Sequence, residues 1–313
     1  MQPIRSGSGQ RRAFKASLSV LALTMAAVAA ASAVAAEALP QDTLKKIQEQ
    51  RVVNIGYRDA SIPFSYYDAQ QKPVGYSIDI ANLIIERIKA RLNLSGLQVR
   101  AIPITSQNRI SLVQNGTIDF ECTSTTNNEE RARQVDFSNN FFEIGTRLLV
   151  RKNSSIHDFP DLKGQTVVVG AGTTSEKIIR TMNTKKAMDM RIISAKDHSE
   201  AFLMLSTGRA RAMMMDDALL AGERAKARHP DDYEIVGEPQ SFEAYGCMLR
   251  KNDKPLKAVM DAVIADAQRS GAAMALYEKW FMAPIPPKGL NLDFPMSARM
   301  RTLFAHPNDK PAF

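Results

Sequence analysis

Strand-like and helix-like segments run through this chain in one order, stop, and then start again, and that repetition narrows the fold more than any single motif. Residues 52–55 form a short β-branched run closed by Gly56. From Gly75 onward, Ile80, Leu83, Ile84 and Ile88 recur at helical spacing, with Ser77 in reach as an N-cap. A strand over residues 97–102, a helix from about Thr105 stopped by Asn115-Gly116, and a strand over residues 118–122 complete the first round. The second round has strands at 165–170, 190–194 and 210–215, with helices at 174–186 and 199–206, the latter ended by Gly208. Alternation of this kind predicts mainly parallel sheets flanked by helices, hence an α/β chain of two similar lobes.

Two further strand-like runs lie outside the rounds, at residues 144–152 and 245–251, and a helix over 255–269 follows the second. They predict that the chain crosses between lobes twice. Residues 37–142 and 245–313 then make the first lobe, and 143–244 the second. A cleft between hinged lobes is a common place for a small ligand.

Charge matters here only after its location is known. The formal +8 includes Arg5, Arg11, Arg12 and Lys15, and residues 1–36 carry no acid, so about +4 remains for the rest. Such a scattered excess does not make a nucleic-acid surface, and no nucleic-acid partner is expected. The basic start, an apolar run at 18–31 below the roughly 18 residues of a spanning helix, and small residues at 33–36 read as a cleaved secretory signal. Export would put Cys122 and Cys247 in an oxidising compartment, where a disulfide between them is open either way. No metal is expected, because the four histidines and two cysteines lack ligand spacing. Met213-Met214-Met215 reads as core, since neighbours on a strand face opposite ways.

The chain has no nucleophile elbow, Walker loop, H-E-x-x-H or G-x-G-x-x-G. Two loops could hold an anion. Residues 170–175 (Gly-Ala-Gly-Thr-Thr-Ser) link a strand to a helix N-terminus, which suits either an anion or a capped turn. Residues 122–131 place Ser124, Thr125 and Thr126 after a strand and Arg131 beyond them, either a carboxylate grip or a solvated N-cap.

Several longer stretches carry a resemblance: Phe64-Ser65-Tyr66-Tyr67-Asp68, Pro103-Ile104-Thr105-Ser106-Gln107-Asn108-Arg109-Ile110, Ser124-Thr125-Thr126-Asn127-Asn128, Gly172-Thr173-Thr174-Ser175-Glu176, residues 190–198 and residues 215–224. From about Leu44 to near its end the chain resembles the periplasmic amino-acid-binding proteins of ABC importers (solute-binding protein family 3), and within them the glutamate/aspartate-binding group. The resemblance implies a two-lobed, type II periplasmic-binding-protein fold without cofactor or catalysis. It implies L-glutamate or L-aspartate as ligand, an inner-membrane ABC permease as partner, a monomer, and a periplasmic location.

By the same resemblance Arg131, Ser124 and Thr126 meet the ligand α-carboxylate, the second lobe adds the turn at Thr173 and Thr174, and Asp216 binds the ammonium. Asp217 is then a helix cap. Arg58, Arg109 with Ser106, and His198 match the positions that hold the second carboxylate, and the two guanidiniums should keep His198 neutral in the empty cleft. The fold is also similar to periplasmic cyclohexadienyl dehydratases, which leaves an enzyme as the alternative reading.

Overall fold

The computed structural model describes residues 42–312, so the expected signal at 1–36 lies outside the described residues. Helix α1 (Thr43–Gln50) leads into β1 (Val52–Tyr57), a ribbon of β2 (Ala60–Ser61), β3 (Ser65–Tyr67) and β4 (Pro73–Val74), then α2 (Tyr76–Leu92), β5 (Gln98–Pro103), α3 (Arg109–Gln114), β6 (Phe120–Glu121) and α4 (Glu129–Ala132). Strand β7 (Asp136–Arg151) follows, and after it β8 (Thr166–Gly170), α5 (Thr174–Lys185), β9 (Arg191–Ala195), α6 (His198–Ser206), β10 (Ala212–Asp216), α7 (Asp217–Ala225) and β11 (Tyr233–Val236). The chain closes with β12 (Phe242–Leu249), α8 (Lys254–Ser270), α9 (Ala272–Tyr277) and α10 (Ala298–Ala305).

Strands β5-β1-β6-β12-β7 make the sheet of one lobe, and β7-β10-β8-β9, with β11 on β7, the sheet of the other. Within each, the strands of the α/β rounds run parallel: β1 with β5 and β6, β8 with β9 and β10. Only β7 belongs to both. Its residues Asp136 to Gly145 pair antiparallel with β12, and Thr146 to Val150 pair antiparallel with β10. The return crossing lies opposite, where Thr146 exchanges backbone hydrogen bonds of 3.1 Å with Gln240 and Ser241.

Strand β7 starts eight residues before the apolar run at 144–152 that announced it. Its first half, Asp-Phe-Ser-Asn-Asn-Phe-Phe-Glu, looks like a polar loop, but tertiary partners satisfy the buried polar groups. Ser138 Oγ accepts from the Cys247 N–H at 2.9 Å, and the Asn140 side chain bridges Asn127 and the carbonyl of Lys310. Ser77 is a second difference. It is not the N-cap of α2 but lies inside it, because Gly75 takes that position at φ 136° under the Phe64 carbonyl, 2.2 Å from where a Cβ would sit.

The two glycine stops are as expected: Gly116 and Gly208 both have φ +78° at matching places in the two rounds. Met213 and Met215 join one apolar cluster while Met214 joins another, as strand alternation requires. Cys122 and Cys247 are bonded, with Cα atoms 4.2 Å apart, and tie β6 to β12 across 125 residues of sequence. In the chain-entropy account, closing so long a loop stabilises the fold by about 5 kcal/mol.

Candidate functional site

Every candidate residue sits just beyond the carboxyl end of a strand, where open α/β sheets bind ligands. Arg58 follows β1, Ser106 and Arg109 follow β5, and the hydroxyl loop and Arg131 follow β6. From the other lobe, Thr173 and Thr174 follow β8, His198 follows β9, and Asp216 ends β10.

The hydroxyl loop is held in place by β12. Asn127 N–H donates to the Ala244 carbonyl at 2.8 Å, and Gly246 N–H to that of Thr125 at 3.2 Å. Asn128 caps α4, as a solvated loop would allow, yet Arg131 turns inward and donates to the Thr126 carbonyl at 3.0 Å. Arg58 is 2% exposed and donates to Ser106 Oγ at 2.8 Å. Arg109, equally buried, donates to the Ser124 carbonyl at 3.3 Å and to Thr125 Oγ1. The Nε of both Arg58 and Arg109 is buried without a partner.

Burial is the main cause of the electrostatics here. It lowers all three guanidiniums, and with the neighbouring Arg109 as the second cause it brings Arg58 to about 10 and Arg131 to about 9. At neutral pH all three remain cations. His198 is also pushed down, by burial first and then by Arg58, Lys226 and Arg109. The direction matches the expectation, but desolvation outweighs the guanidiniums. Asp216 is pushed up by burial and by the nearby Glu243, against the hydroxyl of Tyr245, which donates to its Oδ2, and against Arg131. Its Oδ1 has no partner.

The second lobe differs from expectation in two details. Thr173 Oγ1 donates to the Gly170 carbonyl at 2.7 Å and accepts from Glu176 N–H at 3.1 Å, so its hydroxyl is committed to capping α5. What the turn offers an anion is the first-turn N–H groups of Thr174 and Ser175. Asp217 is not the cap of α7 but its first residue; burial raises its carboxyl to about 6, against Arg147 and the nearby backbone of Ala218 and Gly145, which lower it.

Both lobes close on the site. Arg131 reaches the Gly172 carbonyl at 3.5 Å, Ser61 Oγ lies 3.3 Å from His198 Nδ1, and Glu130 pairs with Lys177. The approach is tight enough that a Cβ on Gly222 of α7 would lie 2.3 Å from the Ile62 carbonyl. Residues not singled out from the sequence include Glu121, Tyr245 and Glu243, all fully buried.

The arrangement is that of a two-lobed binding protein, with three buried guanidiniums and Asp216 brought together where the lobes meet. The chain belongs to the bacterial extracellular solute-binding proteins, family 3, which it matches over residues 53–283. It is 60% identical over 268 residues to the glutamate/aspartate import solute-binding protein of Salmonella typhimurium, covering 86% of this chain and 89% of that one. With the protein of the same name from Escherichia coli it shares 56% over 296 residues, 95% of this chain and 98% of the other. Among solved structures it is similar to an ancestral amino-acid-binding protein described as a precursor of cyclohexadienyl dehydratase, at 29% identity and a TM-score of 0.65, covering 76% of this chain and 99% of that one. No helix of the described residues is long and apolar enough to cross a membrane.

Proposed function

We propose that the chain captures L-glutamate and L-aspartate in the crevice between its lobes and delivers them to an inner-membrane ABC permease, acting as a monomer in the periplasm after loss of residues 1–36. Residues 37–142 and 245–313 form the first lobe and 143–244 the second. The observation that carries the reading is three buried guanidiniums facing one aspartate. A dicarboxylic amino acid brings two negative charges and one positive, and each buried charge needs its own partners. Arg131, Ser124 and Thr126, with the turn at Thr173 and Thr174, take the α-carboxylate; Asp216 takes the ammonium; Arg58, Ser106, Arg109 and His198 take the second carboxylate. The import proteins named above support ligand and partner alike.

Calorimetric titration with the twenty amino acids tests this. Glutamate and aspartate should bind and glutamine should bind far more weakly; equal binding of a neutral amino acid refutes the reading. A dehydratase reading has weaker support, since the relatives named above, at 56–60% identity, carry transport names. Product formation from prephenate or arogenate would revive it.

A further inference from the structure

We propose that Glu121, the last residue of β6, is the standing counter-charge of the arginine pocket and limits how tightly a second ligand carboxylate is held. The proposal rests on the dicarboxylate reading above.

Glu121 is completely buried, and both its oxygens accept hydroxyl hydrogen bonds, from Thr125 at Oε1 and from Thr123 at Oε2. The directions follow from donor inventory. Arg109 can only donate to Thr125 Oγ1, so the single hydroxyl proton of Thr125 is free to go to Glu121. A relay therefore runs from Arg109 through Thr125 to the carboxylate. Glu121 also acts favourably on all of Arg58, Arg109 and Arg131, and for Arg109 it is the foremost of the acids.

The fold makes room for this acid. Gly56 lies opposite Glu121 in the β1–β6 pairing, and a Cβ there would come within 2.9 Å of the Glu121 Cβ. A glutamine could satisfy the same hydroxyls without the cost of burying a charge. What it could not do is offset the repulsion between Arg58 and Arg109 and between Arg109 and Arg131. The same carboxylate competes with any ligand carboxylate that approaches these arginines, because like charges in a dry site interact strongly. Glu121 thus stabilises the empty pocket and weakens the filled one.

Glu121→Gln separates these effects, with melting temperature and calorimetric Kd as readouts. The unliganded variant should melt lower than the parent. Its Kd for glutamate should fall about tenfold, about 1.4 kcal/mol, while that for glutamine changes less than threefold. If the variant folds poorly even with glutamate present, Glu121→Asp, which retracts the charge by one methylene, should tighten glutamate about threefold. An unchanged or weakened glutamate Kd in the variant that folds overturns the proposal and leaves Glu121 as an acid that merely orients two threonines. If the parent protein itself binds neither glutamate nor aspartate, the dicarboxylate reading is what fails.

Discussion

The two lobes bring opposite kinds of charge chemistry to one crevice. The first supplies three guanidiniums, which burial lowers but leaves charged at neutral pH. The second supplies His198 and Asp216, which burial drives toward their neutral forms. A fixed cationic wall thus faces a wall whose charge is set by protons and by the ligand. The difference teaches where selectivity and pH dependence should separate: the first lobe reads carboxylates, and the second responds to how the ligand is charged.

The strongest way to break this comparison is to remove a fixed charge. Arg131→Ala should weaken every amino acid, because its guanidinium is assigned to the α-carboxylate common to all. Arg109→Met should weaken glutamate and aspartate by two orders of magnitude or more, from the roughly 2–5 kcal/mol lost when one partner of a desolvated pair goes. Glutamine should be little affected. Equal loss for glutamate and glutamine in the Arg109 variant, measured by calorimetry, would show that the first lobe does not sort carboxylates in this way.

Next in size is the contact that brings the walls together. Gly222→Ala places a methyl against the Ile62 carbonyl only when the lobes meet, while alanine is favoured over glycine inside a helix by about 1 kcal/mol. The unliganded protein should therefore melt at the same temperature or higher, yet bind glutamate about tenfold more weakly. A parallel loss of stability and affinity would mean the clash is felt with the lobes apart as well.

How much of this was legible in the sequence follows from the physics of each feature. Periodicity and glycine stops are local, so the two rounds and their turns at Gly116 and Gly208 could be read directly. Arg131 was a candidate from its hydroxyl loop, which equally suited a solvated N-cap, while Arg58 and Arg109 were reached through resemblance, since each alone reads as an ordinary surface or helix-face arginine. Buried polar residues were not legible, because their meaning lies in partners far along the chain. Ser138 and Asn140 hid the first half of β7 in this way, and Tyr245 and Glu243 reveal themselves only when β12 is set beside Asp216. Asp217 was misread because the groups around it, Arg147 and Gly145, lie far back along the chain on β7.

The proton inventory of the titrating wall gives a smaller but sharper effect. A ligand carboxylate should raise His198 and draw a proton in. The ligand ammonium should lower Asp216 and send one out. For the histidine part, affinity is fully present below the empty-state pKa and lost as pH rises through the bound-state value; the aspartate part has the opposite sign, present above its empty-state pKa and lost as pH falls through its bound-state value. Calorimetry near pH 7 in buffers of different ionisation enthalpy should show His198→Gln shifted toward proton release relative to the parent, by up to about one proton. Identical proton counts would make His198 a structural partner of Ser61.

The smallest expected effect belongs to the pair that joins the two walls at their rim. Glu130 and Lys177 are in contact across the cleft, yet their side chains are 53% and 67% exposed. Water and salt screen such a pair, and two long side chains lose freedom in forming it, so it contributes at most about 1 kcal/mol. Glu130 itself is held below the ordinary carboxylate range, first by its hydrogen bond to Lys177, but at that exposure the shift carries little stability. Glu130→Gln should therefore weaken glutamate about threefold or less at low salt and not measurably at 0.5 M salt, where the Debye length is about 4 Å. Lys177→Met should do the same, and the double variant should be no worse than either single one. A tenfold loss that survives high salt would place the pair among the contacts that hold the lobes shut, and the contrast between a fixed wall and a titrating one would no longer account for closure.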